Sequence, residues 1–138
     1  MLTEIHQGNT IGPVVKNITQ EKIDLYAEAS GDFNPIHIDE SFAASTPLGG
    51  TIAHGMLILA YASEMMTLAF GQKWITGGKL SAKFKEPARP GDTVTINGTI
   101  DSIKEQNGIS YANCSFRCCN QKDATIIIGE ASVKLSAD

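Results

Sequence analysis

The residues with the clearest chemical potential lie in the stretch SGDFNPIHIDE, which places Asp32 and His37 on either side of Pro35. Pro35 disfavours the helical conformation at Asn34, so the chain from Asp32 to His37 is predicted to form an irregular, rigid turn. On such a turn the carboxylate and the imidazole can point into one cleft and hold a water molecule between them. Because the imidazole can give or take a proton near neutral pH, the stretch predicts a site for proton transfer.

The same residues also have a purely structural interpretation. Aspartate, asparagine and proline are common turn formers, so Asp32 can hydrogen-bond within its own turn. His37 would then be a polar residue with satisfied hydrogen bonds and no chemical role. From these residues alone both interpretations stay open.

A second candidate feature is the sequence IAHGM, where a loop enters the apolar stretch from Ile52 to Phe70. The amide of Gly55 is predicted to be among the N–H groups left unpaired at a helix start, where the helix dipole adds positive potential. Such a donor suits a developing oxyanion, and glycine lets a ligand approach the backbone closely. The alternative is that Gly55 relieves crowding between helix and sheet, with His54 an ordinary polar residue of the first turn.

Two further polar residues, Ser63 and Glu64, lie inside the same apolar stretch. Ser63 follows Gly55 by a little over two helical turns and is therefore expected near the same face. Glu64 is rotated by about 100° from Ser63 and faces solvent or an interface. A serine within a helix more often packs against its own backbone than takes part in catalysis.

The composition narrows the class of protein. A chain of 138 residues with 42% hydrophobic and 19% charged residues fits one globular domain, taken here as residues 1–138. A net charge of −4 without a basic stripe argues against nucleic acid as a partner. The sequence contains no GxSxG elbow, P-loop or GxGxxG motif, so it does not support a hydrolase triad, phosphoryl transfer or dinucleotide binding.

Cysteine usage and the distribution of apolar residues indicate the cellular setting. The three cysteines include no CxxC pair and lie far in sequence from the histidines, so we expect reduced thiols and no metal site: Cys114, Cys118 and Cys119. The N-terminal residues lack a signal-peptide pattern, and polar residues interrupt the stretch from Ile52 to Phe70. We therefore expect a cytoplasmic protein without a membrane segment.

The elements that must position these residues are predicted from caps and periodicity. A first helix is predicted between the N-cap Thr19 and Gly31, and a long helix, apolar nearly all round and therefore covered on most sides, from about Ala53 to Phe70. Four strands then follow as a meander, with alternation or turn signals at Leu80–Phe84, Val94–Ile100, Asn107–Gly108 to Cys119, and Thr125–Leu135. The pattern predicts an α+β fold in which an antiparallel sheet wraps around the long helix. Homodimerisation would cover its edges.

Three segments of the chain resemble motifs of one known family. YAEASGDFNPIHID, GGTIAHGML and KFKEPARPGDTV are similar to motifs of the MaoC-like dehydratase family, the (R)-specific enoyl-CoA hydratases of the hot-dog fold. The resemblance covers most of the chain. By position it implies a role for each of five residues: Asp32 and His37 as the catalytic pair that holds and activates water, the Gly55 amide as the donor to the thioester carbonyl, Asn34 as a residue that shapes the turn, and Ser63 as a neighbour of the site.

The resemblance further implies the reaction and the partners. The expected activity is addition of water across the C2–C3 double bond of a trans-2-enoyl-CoA, or the reverse dehydration, by a homodimer that needs no metal or redox cofactor. An acyl carrier protein thioester is an alternative substrate, and no residue identifies the acyl chain. Four large residues of the long helix either line an acyl tunnel or fill the core, with core packing favoured for most: Met56, Leu59, Met65 and Met66.

Two other functions stay open within the same fold. One is a thioesterase, for which Glu64 is the available acidic residue on the helix. The other is an acyl-thioester binding subunit without catalytic activity, although an intact Asp32 and His37 pair argues against it.

Overall fold

A computed structural model describes residues 1–135 of the chain. The described residues form one five-stranded antiparallel sheet in the order β1-β3-β4-β5-β2. The strands are β1 (Thr10–Asn17), β2 (Gly78–Phe84), β3 (Thr93–Gln106), β4 (Ile109–Cys119) and β5 (Thr125–Lys134). The helices are α1 (Gln20–Ser30), α2 (Pro35–Ile38), α3 (Glu40–Ala44), α4 (Gly55–Phe70) and α5 (Gln72–Gly77). The predicted α+β class is confirmed.

The first helix begins and ends as predicted. The Thr19 side chain accepts a hydrogen bond from the Lys22 amide, which satisfies one of the unpaired donors at the start of α1. Gly31 follows the last residue with φ 78°, a left-handed conformation that glycine adopts without a steric cost. The chain therefore leaves α1 sharply and enters the stretch that contains Asp32 and His37.

The expected irregular turn from Asp32 to His37 is only partly correct, because a single helical turn, α2, begins at Pro35. Asn34 is extended, with φ −55° and ψ 127°, as the residue before a proline should be. Its side chain accepts from the Ile36 amide and so caps α2. Proline has the φ of a first helical residue and no N–H to leave unpaired, so Pro35 initiates this turn of helix and does not prevent it.

The long helix, α4, packs against the sheet strands β1, β3 and β5. It begins at Gly55, two residues later than predicted, with His54 as the N-cap residue. Met65 and Met66 are completely enclosed in the core, whereas Met56 and Leu68 are each more than half exposed. The core role expected for most of the large residues is correct for Met65 and Met66. The expectation that α4 is covered on most sides is also correct, with Met56 and Leu68 as exposed exceptions.

The strand order corrects the predicted four-strand meander. β3, β4 and β5 are sequential neighbours, and Asn107 and Gly108 form the β3–β4 hairpin with φ values of 55° and 78°. β2 instead pairs with β5 at the far edge of the sheet. The connection from β2 to β3 contains Pro87 and Pro90, and it lacks a two-residue hairpin turn that would make these strands neighbours. No helix among residues 1–135 combines the length and apolar character needed to cross a bilayer.

Candidate active site

The side chain of Asp32 lies in the turn between α1 and α2 and uses its two oxygens differently. Oδ1 accepts a hydrogen bond from the Asn34 amide at 3.2 Å, which is the structural role considered from the sequence. Oδ2 lies 3.9 Å from Nε2 of His37. The carboxylate is 52% exposed. It can therefore stabilise its own turn through one oxygen and still present the other to a water molecule or ligand.

The imidazole of His37 is buried and has a defined orientation. Its Nδ1 lies 2.7 Å from the main-chain oxygen of Ile52, and since a carbonyl oxygen only accepts, Nδ1 donates. In the neutral ring Nε2 is then unprotonated and faces Asp32 across the 3.9 Å gap. That distance exceeds a direct hydrogen bond and suits two groups that share a third, bridging oxygen.

A polar network holds α2 and the following loop in place. Gln20 on α1 donates from Nε2 to the His37 carbonyl oxygen at 2.7 Å, and its Oε1 lies 2.8 Å from the Thr51 hydroxyl. Oε2 of Glu40 accepts from the Thr51 amide at 3.1 Å. Thr51 itself is buried. Because Thr51 directly precedes Ile52, this network fixes the carbonyl group to which His37 donates.

Gly55 lies at the point where the loop becomes α4. As the first residue of the helix it has an N–H that no carbonyl of α4 can accept from, as the sequence predicts. The loop before it is anchored by a 2.7 Å hydrogen bond from the Ala53 amide to the Ala88 carbonyl oxygen. A Cβ at Gly55 would lie 2.8 Å from the half-exposed ring of Phe84, so any larger residue here would force that ring to shift.

His54 connects the parts of this site. It is 2% exposed, its ring is stacked on that of His37 with centroids 3.9 Å apart, and its Nε2 donates to the Asp32 carbonyl oxygen at 2.9 Å. The ring of Tyr26 packs against it with centroids 4.8 Å apart. His54 is therefore not the ordinary first-turn polar residue considered from the sequence. Its apolar neighbours in IAHGM were the available signal for burial, whereas no local pattern indicates the roles of Gln20, Glu40 and Thr51.

Of the two residues expected to support the site, Asn34 lies in the segment that carries His37, whereas Ser63 contacts α5. Asn34 caps α2 through its side chain and so shapes the segment that carries His37. The Ser63 hydroxyl accepts a 2.9 Å hydrogen bond from the Trp74 indole of α5. No hydrogen bond within residues 1–135 joins Ser63 to Asp32 or His37. The place of Ser63 near the site thus stays a prediction.

Glu64, the residue that a thioesterase would need, is engaged elsewhere. Its carboxylate forms a salt bridge of 3.0 Å with Lys16 on β1, and the Lys16 ammonium lies 5.3 Å from the centroid of the Tyr61 ring. Burial raises the pKa of the Tyr61 phenol; Lys16 opposes this shift and Glu64 adds to it. Glu64 therefore belongs to a contact between α4 and β1.

The two buried cysteines, Cys114 and Cys118, do not provide a nucleophile. Burial raises the pKa of Cys114 to about 11, and nearby Asp101 adds to the shift. Burial, with a contribution from Cys119, raises the pKa of Cys118 to about 12. Cys114 and Cys118 are therefore thiols and not thiolates at neutral pH.

Asp32, His37 and His54 also form a group of metal-ligand types with donor atoms within 4.8 Å of one another. The two imidazole planes are inclined by only 26° and stacked, so their nitrogen lone pairs lie in neighbouring planes and do not converge on one point. Hydrogen bonds to carbonyl oxygens orient both rings through His37 Nδ1 and His54 Nε2, so the remaining ring nitrogens are His37 Nε2 and His54 Nδ1. The stacking of the rings, and not these hydrogen bonds, disfavours shared coordination of an ion.

The sequence model of the MaoC-like domain matches residues 6–112, which contain Asp32, Asn34, His37, Gly55 and Ser63. The chain belongs to the MaoC-like domain family. Within this family, the (R)-specific enoyl-CoA hydratase of Rhodospirillum rubrum is 31% identical over 97% of this chain and 90% of its own length. The (R)-specific enoyl-CoA hydratase of Aeromonas caviae is 34% identical over 87% of this chain and 88% of its own length.

Solved structures of MaoC-like relatives have the same fold. The R-hydratase PhaJ1 of Pseudomonas aeruginosa superimposes with a TM-score of 0.83 at 26% identity, covering 98% of this chain and 84% of that one. The (R)-hydratase of Aeromonas caviae involved in PHA biosynthesis has a TM-score of 0.83 at 29% identity, covering 98% of this chain and 100% of that one. The expected hot-dog fold and MaoC-like family are thus confirmed.

Proposed function

We propose that this MaoC-like protein is an (R)-specific 2-enoyl-CoA hydratase, which also catalyses the reverse dehydration of (R)-3-hydroxyacyl-CoA. One observation supports the proposal: Nε2 of His37, the unprotonated nitrogen of the neutral ring, lies 3.9 Å from Oδ2 of Asp32, where a water molecule can bridge them. Gly55, whose amide has no backbone acceptor among residues 1–135, directly follows His54, whose ring is stacked on His37. These positions support a single site that combines acceptor, base and oxyanion donor.

The proposed chemistry follows from these positions. Asp32 and His37 bind the water, and His37 Nε2 takes its proton as the oxygen bonds to C3 of the enoyl thioester. The C2–C3 electron pair then moves toward the thioester carbonyl, where the Gly55 amide stabilises the negative charge on oxygen. A proton delivered to C2 from the same pair completes the addition, so one water enters and no redox cofactor is needed.

The names of the relatives support the reaction and leave the carrier of the acyl group open. Besides the two hydratases, a 3-hydroxybutyryl-CoA dehydratase of Methylorubrum extorquens is 31% identical over 87% of this chain. A mitochondrial 3-hydroxyacyl-[acyl-carrier-protein] dehydratase of Arabidopsis thaliana is 26% identical over 91% of it. We therefore propose CoA thioesters as substrates and retain acyl carrier protein thioesters as the alternative to be tested.

A homodimer is part of the proposal, and the two edges of the sheet support it. β1 is interrupted by a register shift between Ile11 and Val14 and contains Pro13, which lacks an amide donor. β2, at the other edge, pairs regularly with β5 along its whole length and ends at Phe84, a half-exposed aromatic residue. A second copy that pairs along β2 would cover this edge. Light scattering should then give twice the chain mass of 14.7 kDa.

The decisive experiment is hydration of crotonyl-CoA by the purified protein, followed as loss of the conjugated-enoyl absorbance, with chiral analysis of the product. We expect (R)-3-hydroxybutyryl-CoA from the wild type and essentially no turnover from Asp32→Asn or His37→Gln. His6→Gln, at an exposed histidine remote in sequence, is the matched control. Activity that survives both site substitutions would refute the assignment of this pair.

The same samples separate the other functions. Release of free CoA thiol that is lost in Glu64→Ala would indicate a thioesterase. Tight binding of thioesters without turnover would indicate a binding subunit. A panel of CoA and acyl carrier protein thioesters then defines the substrate. A single domain, the absence of cofactors and a cytoplasmic location stay predictions.

A further inference from the structure

His54 contacts or adjoins every part of the proposed site. Its Nε2 hydrogen-bonds the main-chain oxygen of Asp32 at 2.9 Å. Its ring is stacked on His37. Its own carbonyl is the N-cap acceptor of α4, and the next residue is Gly55, whose amide is the proposed oxyanion donor.

The hydrogen bonds of His54 define its tautomer. A carbonyl oxygen can only accept, so Nε2 carries the proton of the neutral ring and Nδ1 is its lone pair. Nδ1 is buried and has no hydrogen-bond partner among residues 1–135. A buried polar atom without a hydrogen-bond partner lowers the stability of the fold. Its presence in a native structure therefore indicates that the residue has another role. Here the role is the orientation of the ring, with one face on His37 and one edge on the Asp32 backbone.

We propose that His54 is a positioning residue for the hydration reaction, because it fixes Asp32, His37 and the start of α4 relative to one another. This inference rests on the proposed hydratase function. His54 contacts neither the bridging water nor the substrate in this scheme. Its effect is therefore expected in turnover and not in substrate affinity, since small displacements of reacting groups have large effects on rate.

Three substitutions separate the two contacts of the ring. His54→Ala removes both and should lower kcat by about 100-fold with KM changed by less than about threefold. His54→Gln keeps an N–H donor near the position of Nε2, and His54→Phe keeps a planar ring against His37. Each should have a kcat about tenfold higher than that of His54→Ala, because each retains one of the two contacts. His6→Gln should retain wild-type kcat.

Nitrogen NMR of the histidine rings provides a readout that a merely stabilising role would not change. In the wild type we expect His37 as the Nδ1–H tautomer and His54 as the Nε2–H tautomer. In His54→Ala the Ile52 carbonyl still specifies the Nδ1–H tautomer of His37, but the His37 ring signals should broaden because the ring has lost the stacked face that holds its orientation, even at a temperature where the variant is fully folded. If His54→Ala does not fold, the Gln and Phe variants and the wild-type tautomers still decide the question.

The inference is overturned if His54→Ala retains the wild-type kcat, or if the wild-type ring of His54 carries its proton on Nδ1. It is also overturned if only the melting temperature falls while kcat per folded molecule and the His37 signals stay unchanged. A wild type that hydrates no member of the panel of CoA and acyl carrier protein thioesters would refute the proposed function instead. The tautomer measurement would then still test the arrangement around His54.

Discussion

The ring of Phe84 occupies the side of Gly55 on which any other residue would carry its Cβ. The nearest ring atoms would be 2.8 Å from that Cβ, which is closer than packed carbon atoms approach. Phe84 is the last residue of β2 and Gly55 the first of α4. A contact between a sheet edge and a helix start therefore explains why glycine stands at the position of the proposed oxyanion donor.

Gly55→Ala should lower both stability and turnover. The added methyl group must displace the Phe84 ring or the start of α4, at a cost of about 1–3 kcal/mol in the free energy of unfolding. Urea unfolding and crotonyl-CoA hydration measure the two effects. In Gly55→Ala/Phe84→Ala the added methyl group has room. The losses of stability and turnover in the double variant should therefore be smaller than the sum of the losses in the two single variants. Additive losses would show that Phe84 is not the obstacle.

His37→Asn tests whether the ring acts through Nε2. The asparagine amide can still donate to the Ile52 carbonyl oxygen in place of Nδ1, but it offers no base toward Asp32. We expect turnover to fall by about 10²- to 10⁴-fold while the melting temperature stays close to that of the wild type. A fold that collapses in His37→Asn would show that the residue acts mainly in packing. His6→Asn serves as the control.

Glu40 should stabilise the loop that orients His37. Glu40→Ala leaves the buried Thr51 amide without its acceptor, and we expect a loss of about 1–3 kcal/mol in the free energy of unfolding. Glu40→Gln retains an acceptor oxygen and should lose less. Urea denaturation of the three proteins checks the order. Equal stability of Glu40→Ala and the wild type would contradict a role for this hydrogen bond.

Alkaline pH should destabilise the protein through its buried thiols. Folding raises the pKa of Cys118 from 9.0 to about 12 and that of Cys114 from 9.0 to about 11. Below pH 9 both thiols are protonated in the folded and unfolded states. Above pH 9 they ionise first in the unfolded chain, so stability falls as the pH rises through 9 toward 11 and 12, by up to a few kcal/mol.

The control for this pH effect is Cys118→Ala, which lacks the group with the larger shift. Its free energy of unfolding should be lower than that of the wild type at pH 8 because a core group has been truncated. Its further loss between pH 8 and pH 10 should be smaller. An equal loss in both proteins would assign the alkaline effect to other groups.

Local signals predicted local structure well. Thr19 and Gly31 mark the ends of α1, and the Asn107–Gly108 pair marks a hairpin, because caps and tight turns depend on a few adjacent residues. The placement of β2 beside β5 could not be predicted in this way. Nothing near β2 in sequence specifies which distant strand will accept its hydrogen bonds.

Local signals also predict only part of the candidate site. Asp32, His37 and Gly55 were selected from residue type and spacing, and the structure brings His37 close to Asp32. The importance of His54 depends on a ring stacked on His37 and a carbonyl two elements away, which only the folded chain shows. The helical turn at Pro35 follows from the preference of proline for a first helical position, which the restraint on Asn34 alone does not indicate.

Asp32, His37 and Gly55, the proposed reacting residues, lie in one continuous stretch from the end of α1 to the first residue of α4, outside the sheet strands. The sheet and the proposed reacting groups are therefore encoded by different parts of the chain. A lineage could lose the chemistry by changing this stretch alone and still inherit a complete scaffold. Catalytically silent members of the fold would then be recognised by this short segment and not by their overall similarity.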